Sequence, residues 1–158
     1  HGHVDHVAGV EMLRRRWPSV RVAIHRDDAE MLTDPHRNLS MLAGTRVAAR
    51  PPEIIFDKEG PLELVQMTFH LLHTPGHTPG GICLYSESEG LAFVGDTLFA
   101  GSIGRTDFEN GSYEQLIKSI HTKLLTLPEQ TRIYPGHGPI TTIRNEKRFN
   151  PFLNRGGF

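Results

Sequence analysis

Four side chains able to bind a metal crowd into the first six residues, His1-Gly-His3-Val-Asp5-His6. A loop this dense in imidazole and carboxylate is electrostatically awkward without a cation among them, and the donors suffice for two ions rather than one. Neutral imidazole and carboxylate are the ligands that zinc and iron accept. The bland reading, a surface histidine cluster or tag residue, is outweighed by the motifs further along the chain. In His73-Thr-Pro-Gly-His77-Thr-Pro-Gly-Gly81, prolines and glycines fix a tight loop, so one histidine can be aimed at little entropic cost. His77 is the expected ligand, and His73, at a strand end, the expected supporting or packing histidine. Asp96 follows Gly95 directly after an apolar run, where its carboxylate could bridge two cations about 3.5 to 4 Å apart that share a hydroxide. His137, in Tyr134-Pro-Gly-His-Gly-Pro139, repeats the device of an immobilised histidine after a strand. Arg105 and Asp107 form a further pair, read equally as an ion pair that shapes its loop or as a contact to a substrate carboxylate.

These residues need elements to hold them. The spacing of Val7, Val10, Met12, Leu13 and Trp17 predicts a helix closed by Pro18, with the first motif in the loop that leads into it. Val20 to Ile24 reads as a strand and Asp27 to Leu32 as a helix, while residues 33–52, punctuated by Pro35, Gly44 and Pro51-Pro52, read as a mobile surface segment. Strands are expected over 53–56, 62–65, 67–72, 81–86 and 91–94, with Gly60-Pro61 as a turn. Strand ends then lead into His77, Asp96 and, after Ile133-Tyr134, His137, placing the chemistry on loops carried by a rigid sheet. A helix from Ser112 to Leu125 is expected to bury Tyr113, Leu116, Ile117, Ile120, Leu124 and Leu125.

At 158 residues with 37% hydrophobic and 22% charged, the chain has the composition of one soluble globular domain. A net charge of -1 gives no basic field to attract nucleic acid, and neither disorder nor a membrane span is expected. The lone Cys83 excludes an internal disulfide, sits in an apolar strand as a small core residue, and fits a cytoplasmic compartment. His25, His36, His70 and His121 have no motif around them and are read as structural.

Taken together, the order His-x-His-x-Asp-His, Gly-His, Asp and a last His resembles the metallo-β-lactamase superfamily over nearly the whole chain. That resemblance implies an α+β fold, the αβ/βα sandwich, in a single domain over 1–158. It would give His1, His3 and His77 to one metal and Asp5, His6 and His137 to a second, with Asp96 bridging. It also implies strands ahead of the first motif, so the chain is read as N-terminally truncated. A narrower match, in Phe93-Val-Gly-Asp-Thr-Leu-Phe-Ala-Gly-Ser-Ile-Gly-Arg-Thr-Asp107-Phe108, in Tyr134 to Thr142 and in Asn150-Pro-Phe-Leu153, is to short bacterial glyoxalase II-like hydrolases. The activity this implies is cleavage of a thioester such as S-lactoylglutathione to a hydroxy acid and a thiol. The expected cofactors are two divalent ions, zinc first, with iron or manganese as alternatives, and the expected partner is the small-molecule substrate alone.

The expected mechanism is attack by a metal-bridging hydroxide, with Asp5 orienting it as the catalytic carboxylate and Arg105 as the substrate-binding candidate. The longer glyoxalase II members have a C-terminal helical region absent from this pattern and a lysine where Arg105 stands, which leaves room for a different thioester. Rival readings are a mononuclear iron persulfide dioxygenase, whose family shares a Gly-Arg-Thr-Asp-Phe stretch, a β-lactamase-like hydrolase on the same centre, and a non-catalytic metal-binding remnant.

Overall fold

The computed structural model describes residues 1–154. The chain divides into two compact units, His1–Asp57 and the residues from Lys58 onward.

In the first unit, the expected opening helix forms in two pieces, α1 (Val4–Val7) and α2 (Val10–Arg16), broken at Ala8-Gly9. Asp5 and His6 therefore lie within α1 rather than in the loop before it, with His3 as the N-cap residue. Helix α2 is fastened by Arg14, which is buried and donates to Glu11 (2.7 Å), Glu53 (2.7 Å) and the carbonyls of Arg50 and Pro51. Paired carboxylates on both sides make a buried guanidinium tolerable. The Arg50 N–H and the Arg14 guanidinium together hold the Glu11 carboxyl down at about 2.

Strand β1 (Ala23–His25) is shorter than expected and pairs in parallel with β2 (Ile54–Phe56), and a 3-10 helix, Arg26–Leu32, follows β1. Val7, Ile24, Leu32 and Ala49 form this unit's core. Residues 33–52 form turns with little regular structure, gathered around Asn38. Its buried side-chain amide donates to the Met31 and Val47 carbonyls, and its Oδ1 accepts from Ser40 N–H. The Asn38 carbonyl in turn accepts from Val4 N–H at 2.8 Å, tying the histidine motif to this segment.

The second unit is a six-stranded sheet in the order β10-β9-β6-β5-β4-β3. Its strands are β3 (Gly60–Leu64), β4 (Met67–His73), β5 (Ile82–Ser86), β6 (Leu91–Gly95), β9 (Arg132–Pro135) and β10 (Thr141–Thr142). Between β6 and β9 the chain forms a small hairpin, β7 (Leu98–Phe99) with β8 (Ser102–Ile103), then α3 (Tyr113–Ser119) and a π-helical turn, Ile120–Leu124. Every pairing in the sheet is antiparallel except β6 with β9. Gly60-Pro61, expected as a turn, belongs to β3 and pairs with Leu71 and His70; β3 is an edge strand, where a missing N–H is tolerated.

One sheet face, with Cys83, Tyr85, Ala92, Val94 and Ile133, packs on Leu116, Ile117, Ile120, Leu124 and Ile143 in a continuous core. Leu116, Ile117, Ile120 and Leu124 of the expected Ser112 stripe are thus buried and Leu125 is partly buried, while Tyr113, in the first turn ahead of the core contacts, is 49% exposed. Ser112 caps α3 by accepting from Gln115 N–H. The final helix is α4 (Ile143–Phe149), with Lys147 and Arg148 in its last turn. It carries buried Glu146, which accepts from Gly101 N–H (2.9 Å), Thr141 O–H (2.6 Å) and Asn150 side-chain N–H (2.8 Å), holding the β7–β8 hairpin. Among the described residues, no helix is long and apolar enough to cross a membrane.

Candidate metal centre

Asp96 lies at the end of β6, immediately after a break in register: Phe93 pairs with Tyr134, and the next pair is Gly95 with Pro135. Such a bulge turns the following side chain out of the strand's alternation. Because β9 runs parallel to β6, its end delivers His137 to the same side, and Gly136 N–H donates to the Gly95 carbonyl at 2.8 Å. His137 Nε2 lies 3.5 Å from Asp96 Oδ2.

His77 reaches the same carboxylate from the β4–β5 loop, its Nε2 3.6 Å from Asp96 Oδ2. This loop is closed by Thr74 N–H donating to the Gly81 carbonyl and Gly76 N–H to the Thr78 carbonyl. Gly76 has φ +137 and presses on α3, so a Cβ there would collide with the Leu116 backbone, while its carbonyl accepts from Ser112 N–H. His73, just before, has its Nε2 2.9 Å from the Pro79 carbonyl of the same loop. The His73 N–H donates to Glu59, which also takes Lys123 at 2.7 Å. Burial pushes the Glu59 carboxyl up, and the Lys123 ammonium and the His73 N–H outweigh it, leaving the group below its ordinary value.

The tautomer of His77 follows from its partner. Its Nδ1 is 2.7 Å from the Arg105 carbonyl, which can only accept, so Nδ1 carries a proton and Nε2, on the side of Asp96, is the ring atom available to a metal. A carbonyl behind a ring nitrogen is the usual support for a ligating imidazole. Nothing in the side-chain types around residue 105 points to this backbone role. The only legible signal is Gly104, where a Cβ would strike the Asp96 carbonyl.

Arg105 itself is an exposed side chain whose Nε and Nη2 both donate to Asp107, at 2.9 and 2.8 Å, and whose guanidinium lies 4.2 Å from the centre of the Phe108 ring. The pair is compatible with both expected roles, since it shapes the loop while staying accessible. The guanidinium holds the Asp107 carboxyl below its ordinary value.

The other donors belong to the first unit. His1 packs against His3 edge-to-face at 4.7 Å between ring centres and against His6 at 4.0 Å, and His6 Nε2 lies 3.7 Å from Asp5 Oδ2. His3 is buried and Asp5 is half exposed.

The donor spacing around Asp96 tests whether a metal fits. Two ligand atoms bonded at about 2.1 Å to one tetrahedral ion stand about 3.4 Å apart, and the two imidazole nitrogens stand 3.6 and 3.5 Å from the carboxylate oxygen. Both distances are too long for a good hydrogen bond. An aspartate oxygen with two imidazole nitrogens at this spacing suits a metal-bound carboxylate, and the donor set is consistent with a dinuclear metal centre.

Carboxylate and imidazole at the ends of adjacent strands make a centre able to hold metal ions that activate water. The model of the metallo-beta-lactamase superfamily matches residues 1–137. The chain is 42% identical over 155 residues to the hydroxyacylglutathione hydrolase GloC of Haemophilus influenzae, covering 98% of this chain and 73% of GloC. The solved structure of the B3 metallo-beta-lactamase BLEG-1 is similar with a TM-score of 0.93 and 41% identity, over 98% of this chain and 74% of that one. The structure of TTHA1623 in a di-iron-bound form gives a TM-score of 0.82 and 36% identity, over 97% and 74%. The chain belongs to the metallo-beta-lactamase superfamily and is a metal-dependent hydrolase with its αβ/βα sandwich fold. These similar proteins carry different names within one family, a hydroxyacylglutathione hydrolase and a metallo-beta-lactamase among them, so the choice of substrate is a separate matter.

Proposed function

We propose that the chain hydrolyses a small thioester of the S-lactoylglutathione kind in the cytoplasm. The observation that carries the reading is Asp96 with His77 and His137 at 3.6 and 3.5 Å from one carboxylate oxygen, together with the likeness to GloC. In this reading His1, His3 and His77 hold one divalent ion, Asp5, His6 and His137 the other, and Asp96 serves both. Zinc is the first choice of metal, with iron or manganese as alternatives. Bound there, the ions supply Lewis acidity and lower the pKa of water towards neutrality.

This chain's own groups do the rest. Asp5, half exposed, accepts a hydrogen bond from the attacking water and fixes its direction towards the thioester carbon. The water oxygen forms the new C–O bond, the C–S bond breaks, and the departing thiolate takes up the proton released. The Arg105 carbonyl keeps His77 in one tautomer throughout. The Arg105 side chain, though engaged with Asp107, is two-thirds exposed, and its remaining Nη1 donors can meet a substrate carboxylate.

Elemental analysis of the purified protein, paired with release of free thiol from S-lactoylglutathione, is the test. Two equivalents of metal with thiol release support the proposal. One equivalent of iron with oxygen consumption on a persulfide substrate, or turnover of β-lactams alone, would replace it.

A further inference from the structure

Beneath the two ligand loops of the second unit lies a buried polar triangle in an otherwise apolar core. Thr74 Oγ1 is 3.2 Å from Thr97 Oγ1 and 3.2 Å from Cys83 Sγ, and Cys83 Sγ is 3.6 Å from Thr97 Oγ1. None of the three is more than 3% exposed. Cys83 also donates to the Val94 carbonyl at 3.7 Å, and the Thr97 N–H donates to the same carbonyl at 3.1 Å. Burial pushes the Cys83 thiol up to about 11, so at neutral pH it keeps the proton it donates.

Position gives the triangle its meaning. Thr74 opens the loop that carries His77, three residues on, and its N–H closes that loop on Gly81. Thr97 directly follows Asp96, and its carbonyl accepts from Gly104 N–H, next to the Arg105 carbonyl that supports His77. Cys83, on β5, stands between the strands that end in the two loops, since β5 pairs with β4 on one side and β6 on the other. Apolar side chains of this size would fill the space without the cost of burying hydroxyls. Hydrogen bonds fix a distance between two strand ends, which apolar packing does not.

We propose that Thr74, Cys83 and Thr97 form a positioning brace that sets the separation of His77 from Asp96, making Thr97 and Thr74 determinants of metal affinity without touching metal or substrate. The proposal rests on the metal-ligand reading of His77 and Asp96. Its test compares wild type with Thr97→Val, Thr97→Ser and the double variant Thr74→Val/Thr97→Val. Three quantities are read: zinc affinity by chelator competition, the visible spectrum of the cobalt-loaded protein, and urea stability of the metal-free protein.

Supporting amino acids around a ligand shell are worth about 10- to 100-fold in affinity, so Thr97→Val is expected to bind zinc about 10- to 100-fold more weakly with an altered cobalt spectrum. Thr97→Ser, which keeps the hydroxyl, should restore both. In the double variant neither hydroxyl is left unmatched, so metal-free stability should recover towards wild type while affinity stays low. A merely structural triangle predicts the opposite pairing, with affinity recovering alongside stability, and that result would overturn the proposal. Wild-type affinity and spectrum in Thr97→Val would overturn it too. Wild-type protein that binds neither zinc nor cobalt would instead remove the ligand assignment on which the brace depends.

Discussion

Replacing Glu146 separates two ways in which a buried carboxylate can matter. In Glu146→Ala, three donors lose their acceptor: Gly101 N–H, Thr141 O–H and the Asn150 side-chain amide. Gly101 is exposed and its N–H can turn to water, but Thr141 and Asn150 are buried. Leaving a buried polar group unsatisfied costs about 1–3 kcal/mol; Thr141 loses its partner outright, while the Asn150 amide keeps its bond to the Ser102 carbonyl at 3.0 Å, so the loss is about 2 to 3 kcal/mol. Glu146→Gln has the same shape. Its carbonyl can take the place of Oε2, accepting from Gly101 and Asn150, while its amide faces Thr141, whose hydroxyl rotates to become the acceptor. Only the charge assistance is lost, about 1 kcal/mol. Urea denaturation of metal-free protein, compared at equal m-value, measures both variants. An alanine variant within about 1 kcal/mol of wild type, or a glutamine variant as damaging as alanine, would refute the claim that hydrogen-bond satisfaction, not charge, is what Glu146 supplies.

Glu11 offers a pH test. Its folded carboxyl sits at about 2 against an ordinary 4.5, so its contribution is present above 4.5 and is lost as pH falls towards 2; Glu11→Gln should flatten the acid limb of a stability–pH profile in that window, and an unchanged limb would contradict the assignment. The β3–β4 turn places Val65 at φ 49 and Gln66 at φ 66, a left-handed pair that suits Asn-Gly and strains a β-branched residue, so Val65→Asn/Gln66→Gly should raise stability by about 1 kcal/mol in chemical denaturation. Gly76→Ala should lower both thermal stability and zinc affinity, because the added Cβ meets the Leu116 backbone and lifts the His77 loop from α3; a variant with wild-type melting and binding would show that the loop does not need this seat.

What was legible in the sequence depended on periodicity and punctuation. The strands at 54–56, 67–73, 82–86 and 91–95 fall within a residue or two of expectation, since each is an apolar run bounded by Gly, Ser or a charged turn. Asp96 and His137 could be placed at strand ends for the same reason, and His77 in a loop fixed by its glycines and prolines. The break between α1 and α2 was hidden because Ala8-Gly9 leaves the apolar spacing undisturbed. The bounds of α4 were hard to read because Ile143 is its only buried apolar residue, the other buried position being Glu146, so no hydrophobic stripe marks them. The Thr74–Cys83–Thr97 triangle was invisible for another reason: its members are far apart in sequence and only sheet register brings them together. The support of His77 by the Arg105 carbonyl leaves no side-chain trace at all.

The lone parallel pairing in the large sheet, β6 with β9, also dictates an order of assembly. An antiparallel neighbour can zip up from a short turn, but β9 meets β6 only after the chain from Asp96 to Thr131 has been laid across as hairpin, α3 and π-turn. His77 and Asp96 come from strands joined by short hairpins and can meet early, whereas His137 must wait for this long crossover. On a ribosome, the last imidazole on Asp96 arrives after nearly the whole sheet has been synthesised. In the ligand set proposed above, closure of this one parallel strand is therefore the step that brings His137 to Asp96.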